Sequence, residues 1–386
     1  LKEILADLHI HIGSTLAGRP VKITASRALT VSVVLETAVN VKGLHMVGIV
    51  DAATTGVIKD LESLDLFELP NGGLTYQDKL TVIPGSEFEL YTDKGSAHFL
   101  GYFPDLKSTR EFTNWLKRYV SNSSLSTQVV HGVSGDEAAR VVKGLGGLFV
   151  PAHAFTPFKG VYGRVLESLS EMFSERVDGL ELGLSASKDL ALLIPETGTY
   201  PFLTNSDAHS KEKIAREYNR LRVKNPDFTG LKEALAFIDG QGIIANYGLD
   251  PRLGKYHRSY CESCQYTGEG ERPIFACPQC GSDRLVMGVY DRLLYLHERS
   301  TLVRQTIDVP YFNVVPLEMV PNIGPKTREQ ILNLTGTELA LWHDTEESIL
   351  IDLVGRKKAG ILTRIRKGEY KLIPGGGGHY GKIDIS

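Results

Sequence analysis

The chain has 386 residues, a formal net charge of −3 and 42% hydrophobic residues. That length suits two or three domains, or an α/β barrel of about 250 residues with accessories, and it allows a large core without disulfides. No run of roughly 18 apolar residues is present to span a membrane, residues 1–6 do not read as a signal peptide, and the balanced charge excludes a uniformly basic nucleic-acid coat.

Apolar runs predict strands at 4–9, 46–51, 80–90, 97–102, 147–151, 179–181, 202–204 and 242–246. Helical patterns fall at 110–120, 136–143, 165–172 and 231–238. Alternation of this kind predicts βαβ units, a largely parallel sheet and an α/β barrel-like fold, with functional residues at the C-terminal ends of strands. Candidate ligands follow that rule. His9 and His11 end the first strand, and imidazoles two residues apart leave one face of it. Asp51 ends the second strand, Glu87 lies near the end of the third, and His98 lies in the fourth. His153 follows the fifth, and the pair Asp207-Ala208-His209 follows the seventh.

Buried carboxylates and imidazoles are costly unless they pair or bind a cation. The cluster therefore predicts catalytic divalent ions, with zinc, manganese or magnesium as the candidates. The expected arrangement puts His9, His11, Glu87 and Asp207 on one ion. Glu87 would bridge to a second ion, held also by His98 and His153, about 3.5–4 Å from the first. His45, His131, His257, His297 and His343 read as structural histidines.

Glycine and proline break the pattern after residue 248, and a first domain is expected at 1–248. In the next segment, 249–290, Cys261-x-x-Cys264 and Cys277-x-x-Cys280 are separated by 12 residues. Two such thiolate turns complete a tetrahedron around one structural zinc ion. The remaining residues, 291–386, are expected to be a helical region, and a helical pattern runs from 286 to 303. At 320–328 the sequence Val-Pro-Asn-Ile-Gly-Pro-Lys-Thr-Arg is similar to a helix-hairpin-helix motif spanning about 314–355. Gly324 would supply its tight turn, and backbone N–H groups near Lys326 and Thr327 would hold a DNA phosphate. Arg356, Lys357 and Lys358 begin a basic stretch that extends this surface. The glycines at 375–378 read as a flexible link before a short tail.

The order His9-x-His11, Asp51, Glu87, His98, His153, Asp207-x-His209 resembles the polymerase-and-histidinol-phosphatase (PHP) family over residues 1 to about 248. The resemblance implies a distorted β/α barrel that hydrolyses phosphoesters on a metal cluster. With the four cysteines, the lead-in at 248–257 and the hairpin, the whole chain is similar to the endonuclease Q branch. That likeness implies a DNA repair enzyme, and the close cysteine pairs, read with the lack of a membrane-spanning run, lead to the expectation of a cytoplasmic one. It would nick the phosphodiester 5′ of a deaminated base (uracil, hypoxanthine or xanthine) or of an abasic site, with Asp207, Glu87 and His209 as catalytic residues.

The chain departs from the PHP pattern at Ser14-Thr15-Leu16-Ala17 and at Asp51-Ala52, where many members carry further histidines. Two catalytic ions are therefore expected, with any third left to Asp51 and His209. A flipped base would need a donor such as the Asn205 amide and aromatic neighbours, for which Phe88, Phe155 and Tyr162 are candidates. No sliding-clamp motif is legible at 378–386. A phosphatase of small phosphomonoesters and a non-catalytic DNA-binding scaffold remain the alternatives.

Overall fold

A computed structural model describes residues 1–299 and 307–385. Its centre is an eleven-stranded sheet. From one edge the order is Tyr311–Asn313, Gly242–Gly248, Tyr218–Val223, Lys2–Ile10, Met46–Ile49, Leu80–Thr92, Leu74–Tyr76 and Phe67–Glu68. Leu80–Thr92 is 13 residues long and serves two neighbourhoods. Its first half pairs in parallel with Met46–Ile49, and its second half pairs antiparallel with Gly95–Tyr102, which in turn pairs with Leu148–Pro151.

The expectation of a largely parallel sheet is corrected here. Tyr218–Val223, which no apolar pattern announced, inserts antiparallel between Lys2–Ile10 and Gly242–Gly248. Its sequence Tyr-Asn-Arg-Leu-Arg-Val alternates, as suits a strand with only one apolar face. The two-stranded parallel unit Leu180–Glu181 with Phe202–Leu203 stands outside the main ladder. Side chains span the gap on one side: Asn219 Nδ2 donates to Thr204 O at 2.8 Å, and Asn246 Nδ2 donates to Phe202 O at 2.9 Å. On the other side Ala154 N donates to Glu181 O at 2.7 Å. Amide side chains thus satisfy backbone groups that a continuous ladder would have paired.

Helices cover the sheet. Leu106–Leu116, Gly135–Gly144 and Phe228–Leu235 start where Asp105, Ser134 and Asp227 accept a hydrogen bond from the first turn. The helix expected at 165–172 is not formed. That segment instead ends a π turn, Val161–Val165, and contains a short 3-10 turn, Leu169–Glu171, fixed by a Ser168/Glu171 capping box. The helical pattern at 286–303 yields Val289–Glu298, and residues 300–303 lie outside the described residues. No helix among the described residues is long and apolar enough to cross a membrane.

The C-terminal helices Pro325–Thr335, Glu338–His343 and Glu347–Arg366 share their own apolar core. They are fastened to the sheet region by a buried ion pair. Lys42 Nζ lies 2.6 Å from Glu338 Oε2, with the two residues 4% and 7% exposed. Glu338 Oε1 accepts from Leu317 N at 2.8 Å.

Two further expectations change. The left-handed residue of the hairpin is Asn322 (φ 63°), whereas Gly324 has φ −75° and caps the helix. The glycines at 375–378 are a turn rather than a loose link. They join Lys371–Ile373 to Lys382–Asp384, and Gly375 N donates to Arg252 O at 2.7 Å.

Candidate metal centre and cleft

The N-terminal strand and the Asp207 turn are zipped together at the rim. His11 N donates to Ala208 O at 3.1 Å and Ala208 N to His9 O at 3.2 Å. Ala208 is thereby pinned between the two histidines, and Asp207 is brought beside both rings. His9 Nε2, His11 Nε2 and Asp207 Oδ1 form one donor set, at 3.2 Å between the nitrogens and 3.5 and 3.4 Å to the carboxylate. Glu87, His98 and His153 form a second. Glu87 Oε1 lies 3.1 Å from His98 Nδ1, 3.2 Å from His153 Nε2 and 3.6 Å from His9 Nε2, so this carboxylate stands between the sets.

Each imidazole presents one nitrogen to the centre and gives the other to a fixed partner. His9 Nδ1 is 3.0 Å from both oxygens of Glu181. His11 Nδ1 is 3.1 Å from Asp51 Oδ1. His98 Nε2 is 3.4 Å from Glu89 Oε2, and His153 Nδ1 is 3.2 Å from Thr156 Oγ1. Such outer partners set ring orientation and leave the inward nitrogen as a lone pair.

The inward atoms fit divalent cations. His9 and His11 Nε2, both acceptors when Nδ1 is the protonated nitrogen, face one another at 3.2 Å. His98 Nδ1 is buried and has no hydrogen-bond partner among the described residues. Two of the proposed ligands, His153 (φ 30°) and Asp207 (φ 45°), hold the left-handed backbone that L-residues seldom adopt. That strain costs on the order of 1 kcal/mol each and concentrates at functional sites. Gly183 makes room for the His153 turn, since a Cβ there would lie 2.9 Å from His153 Cβ.

Electrostatics follow from the crowding. Burial alone would pull His9 down, but the carboxylates of Glu181, Asp207 and Glu87 outweigh it and hold His9 up at about 10. Burial pushes the carboxyls of Glu87 and Asp207 up, yet the neighbouring cationic groups hold both well below the usual carboxylate range. Burial keeps His209 down at about 4, hence neutral.

Several expected site residues are relocated. Asp51 is not free to ligate, because it accepts from His11 Nδ1, Ile12 N and Ser126 Oγ, and it acts as the orienting partner of His11. His209 belongs to neither donor set; its Nδ1 bonds Asp207 O at 2.9 Å and its ring lines the adjoining cleft. Phe88 points away from Glu87, as neighbours on a strand must, and packs on Phe99, Phe112 and Phe149 in the core. Phe155 stacks on Tyr162 at 5.4 Å, and both are buried. Asn205 spends its amide internally, with Nδ2 on Glu181 Oε1 and Oδ1 receiving Leu8 N. Phe88, Phe155 and Tyr162 do not line the cleft, and Asn205 reaches its lining with its amide already engaged inside the protein.

Glu181 is the group that the sequence reading missed. Its one signal was an acidic residue at the end of a short apolar run.

Above the metal centre lies a cleft of about 630 Å³. Its basic wall carries Lys22, Lys159, Lys213, Arg216 and Lys255, and its aromatic rim is Phe158, Tyr256 and Tyr380. The Phe158 and Tyr256 rings meet edge-on at 5.1 Å, and Lys255 Nζ sits 4.7 Å over Tyr380.

The four cysteines come together with Sγ–Sγ distances of 3.7 Å for Cys261–Cys280 and 3.5 Å for Cys264–Cys277. Sulfurs about 2.3 Å from a shared zinc ion would stand roughly 3.8 Å apart. In the hairpin, Lys326, Arg356 and Lys357 are exposed, whereas Thr327 is buried and accepts from Lys358 Nζ at 2.9 Å. Thr327 and Lys358 therefore join the two helices rather than face outward.

The chain is 43% identical over 393 residues to the uncharacterized protein YqxK of Bacillus subtilis, covering 99% of this chain and all of that one. Among solved structures it is similar to the lesion-specific endonuclease PfuEndoQ of Pyrococcus furiosus. The TM-score is 0.84 and the identity 30%, over 100% of this chain and 96% of that one. The same TM-score and identity relate it to endonuclease Q in complex with a 27-mer duplex bearing an abasic lesion at the active site, over 97% of that chain. No family model matches.

A mixed α/β sheet that gathers imidazoles and carboxylates at one rim, around a shared glutamate, has the donor sets of a metal-dependent nuclease. Within that class, the chain belongs to the endonuclease Q family.

Proposed function

We propose that this protein is a DNA repair endonuclease that nicks the strand 5′ of a deaminated base or an abasic site. One observation carries the reading. The metal centre opens into a cleft whose far wall is built by accessory elements: Lys255 and Tyr256 of the lead-in to the cysteine segment and Tyr380 of the C-terminal hairpin. A phosphatase for small monoesters needs no such wall. Its bases and aromatic rings suit a phosphodiester backbone and an extruded nucleotide.

His9, His11, Asp207 and Glu87 would hold one divalent ion, and Glu87, His98 and His153 a second. Bound there, such ions supply Lewis acidity and lower the pKa of a water at neutral pH. The chain does the rest. Glu181, Asp51, Glu89 and Thr156 fix the ligating rings, so little reorganisation accompanies reaction. The Asp207 side chain, 30% exposed, borders the cleft and would orient the attacking water. Neutral His209, at the same border, would accept a proton. Lys255 would offer charge to the flanking backbone, whereas Lys213 pairs with Glu318 and Arg216 bonds the carbonyls of Ser206 and Asp207. The expected products are 3′-hydroxyl and 5′-phosphate ends.

The test is a labelled duplex carrying one uracil, hypoxanthine, xanthine or abasic site, incubated with manganese or zinc, with the cut mapped. A nick 5′ of the lesion is expected, and Asp207→Asn should abolish it while leaving DNA binding largely intact. Hydrolysis of phosphomonoesters without nicking would overturn the proposal.

A further inference from the structure

After His11 the chain folds back over the rim. Lys22 N donates to Ile12 O at 2.9 Å, Val21 N to Gly13 O at 3.0 Å, and Ser26 N to His209 O at 2.8 Å. This fold-back delivers the Lys22 side chain into the metal centre. Its Nζ lies 2.8 Å from Glu87 Oε2 and 2.5 Å from Thr127 Oγ1. Thr127 Oγ1 itself donates to Glu87 Oε2 at 2.6 Å. The side chain is 13% exposed, and that exposed part lines the cleft.

Two facts make this more than an ordinary ion pair. Glu87 is the carboxylate shared by both donor sets, so an ammonium on Oε2 competes with any further ion for that oxygen. Asp51, the other carboxylate nearby, is fully engaged by His11, Ile12 and Ser126. Neither of these two carboxylates has an oxygen left for an additional divalent ion. An ammonium has three donors. Two are used by Glu87 and Thr127, and the third has no acceptor among the described residues.

We propose that Lys22 is the third cation of this centre. Its tethered charge holds Glu87 in the bridging position and limits the centre to two divalent ions. Its free N–H donates to a phosphoryl oxygen of the substrate. The phosphate contact rests on the phosphodiesterase reading; the limit of two ions does not.

Two measurements on the full chain test this. The first is metal content after zinc saturation and gel filtration. Three ions per chain are expected, two in the centre and one among the cysteines, whereas Lys22→Met, which frees Glu87 Oε2, should admit a fourth, and a variant that stays at three would overturn the limit. Four ions in the unsubstituted chain would overturn the proposal. The second is calorimetric binding of inorganic phosphate to the zinc-loaded protein. Losing a charge-assisted hydrogen bond should weaken binding roughly 10- to 100-fold in Lys22→Met, with Lys22→Arg recovering most of it. Equal phosphate affinity in Lys22→Met and the unsubstituted chain would also overturn it. Neither readout uses DNA. A chain that meets both and leaves damaged duplexes intact sinks the endonuclease reading alone.

Discussion

Both carboxylate oxygens of Glu181 lie 3.0 Å from Nδ1 of His9, deep beneath the rim. The same glutamate accepts from Asn205 Nδ2 at 2.8 Å and from His153 N at 2.7 Å. One side chain therefore orients a ring of the first donor set and the backbone of a ligand in the second. Glu181→Gln removes the charge and turns an amide donor toward groups that already donate. Affinity for the first ion should fall about 10- to 100-fold, measured by competition with a chelating dye. Unchanged affinity would remove Glu181 from the centre's support.

Ion binding should release protons. In the metal-free chain the carboxylates around His9 hold its proton up to about 10 against the pull of burial. That raised value stabilises the metal-free fold below the unfolded value of about 6.5, and the stabilisation is lost as pH rises toward 10. An entering ion displaces the same proton. Between those limits apparent affinity should climb about tenfold per pH unit for each proton displaced. Calorimetry in two buffers of different ionisation enthalpy checks this, and binding without proton release would contradict it.

Converting Cys261 and Cys264 to serine should lower the zinc count by one and expose the 261–286 segment to proteolysis. A segment with so little apolar burial of its own folds on its metal. Because Tyr256 borders the cleft just upstream, nicking should weaken as a consequence of local unfolding. A doubly substituted chain with a full zinc complement would refute the site.

The Lys42–Glu338 pair is buried on both sides. Lys42→Ala strands a buried carboxylate and should cost about 3–5 kcal/mol of stability, whereas replacing both partners with apolar residues should be nearly neutral. Urea denaturation of the single and double variants reads the difference. A single variant as stable as the parent would show that the carboxylate finds water or another partner.

Most of the candidate metal ligands were legible because the His, Asp or Glu ended an apolar run or lay just beyond one, which puts such residues on one rim; His98, near the start of its strand, joins them through the antiparallel pairing with Leu80–Thr92. The four cysteines were legible for a similar reason, since two short turns specify a tetrahedron without reference to the rest of the chain. Phe88 was in principle legible too: next to Glu87 on a strand, it had to face the other way. Glu181, Glu89, Thr156 and Lys22 were not. The place of Glu181 at the end of a short apolar run does not reveal a partner imidazole 172 residues away, and a lysine in a fold-back reads as any surface lysine.

By itself, then, the sequence determined a pool of candidate metal-binding residues and their chain order, because those follow from periodicity and spacing. Only the tertiary structure decided which carboxylates ligate and which hold a ring in place. It also decided which cation sits on Glu87, and whether Phe155, Tyr162 and Asn205 are core or cleft. Those outcomes depend on which strands and loops meet, and strand order is set by packing and hydrogen-bond completion across the whole sheet.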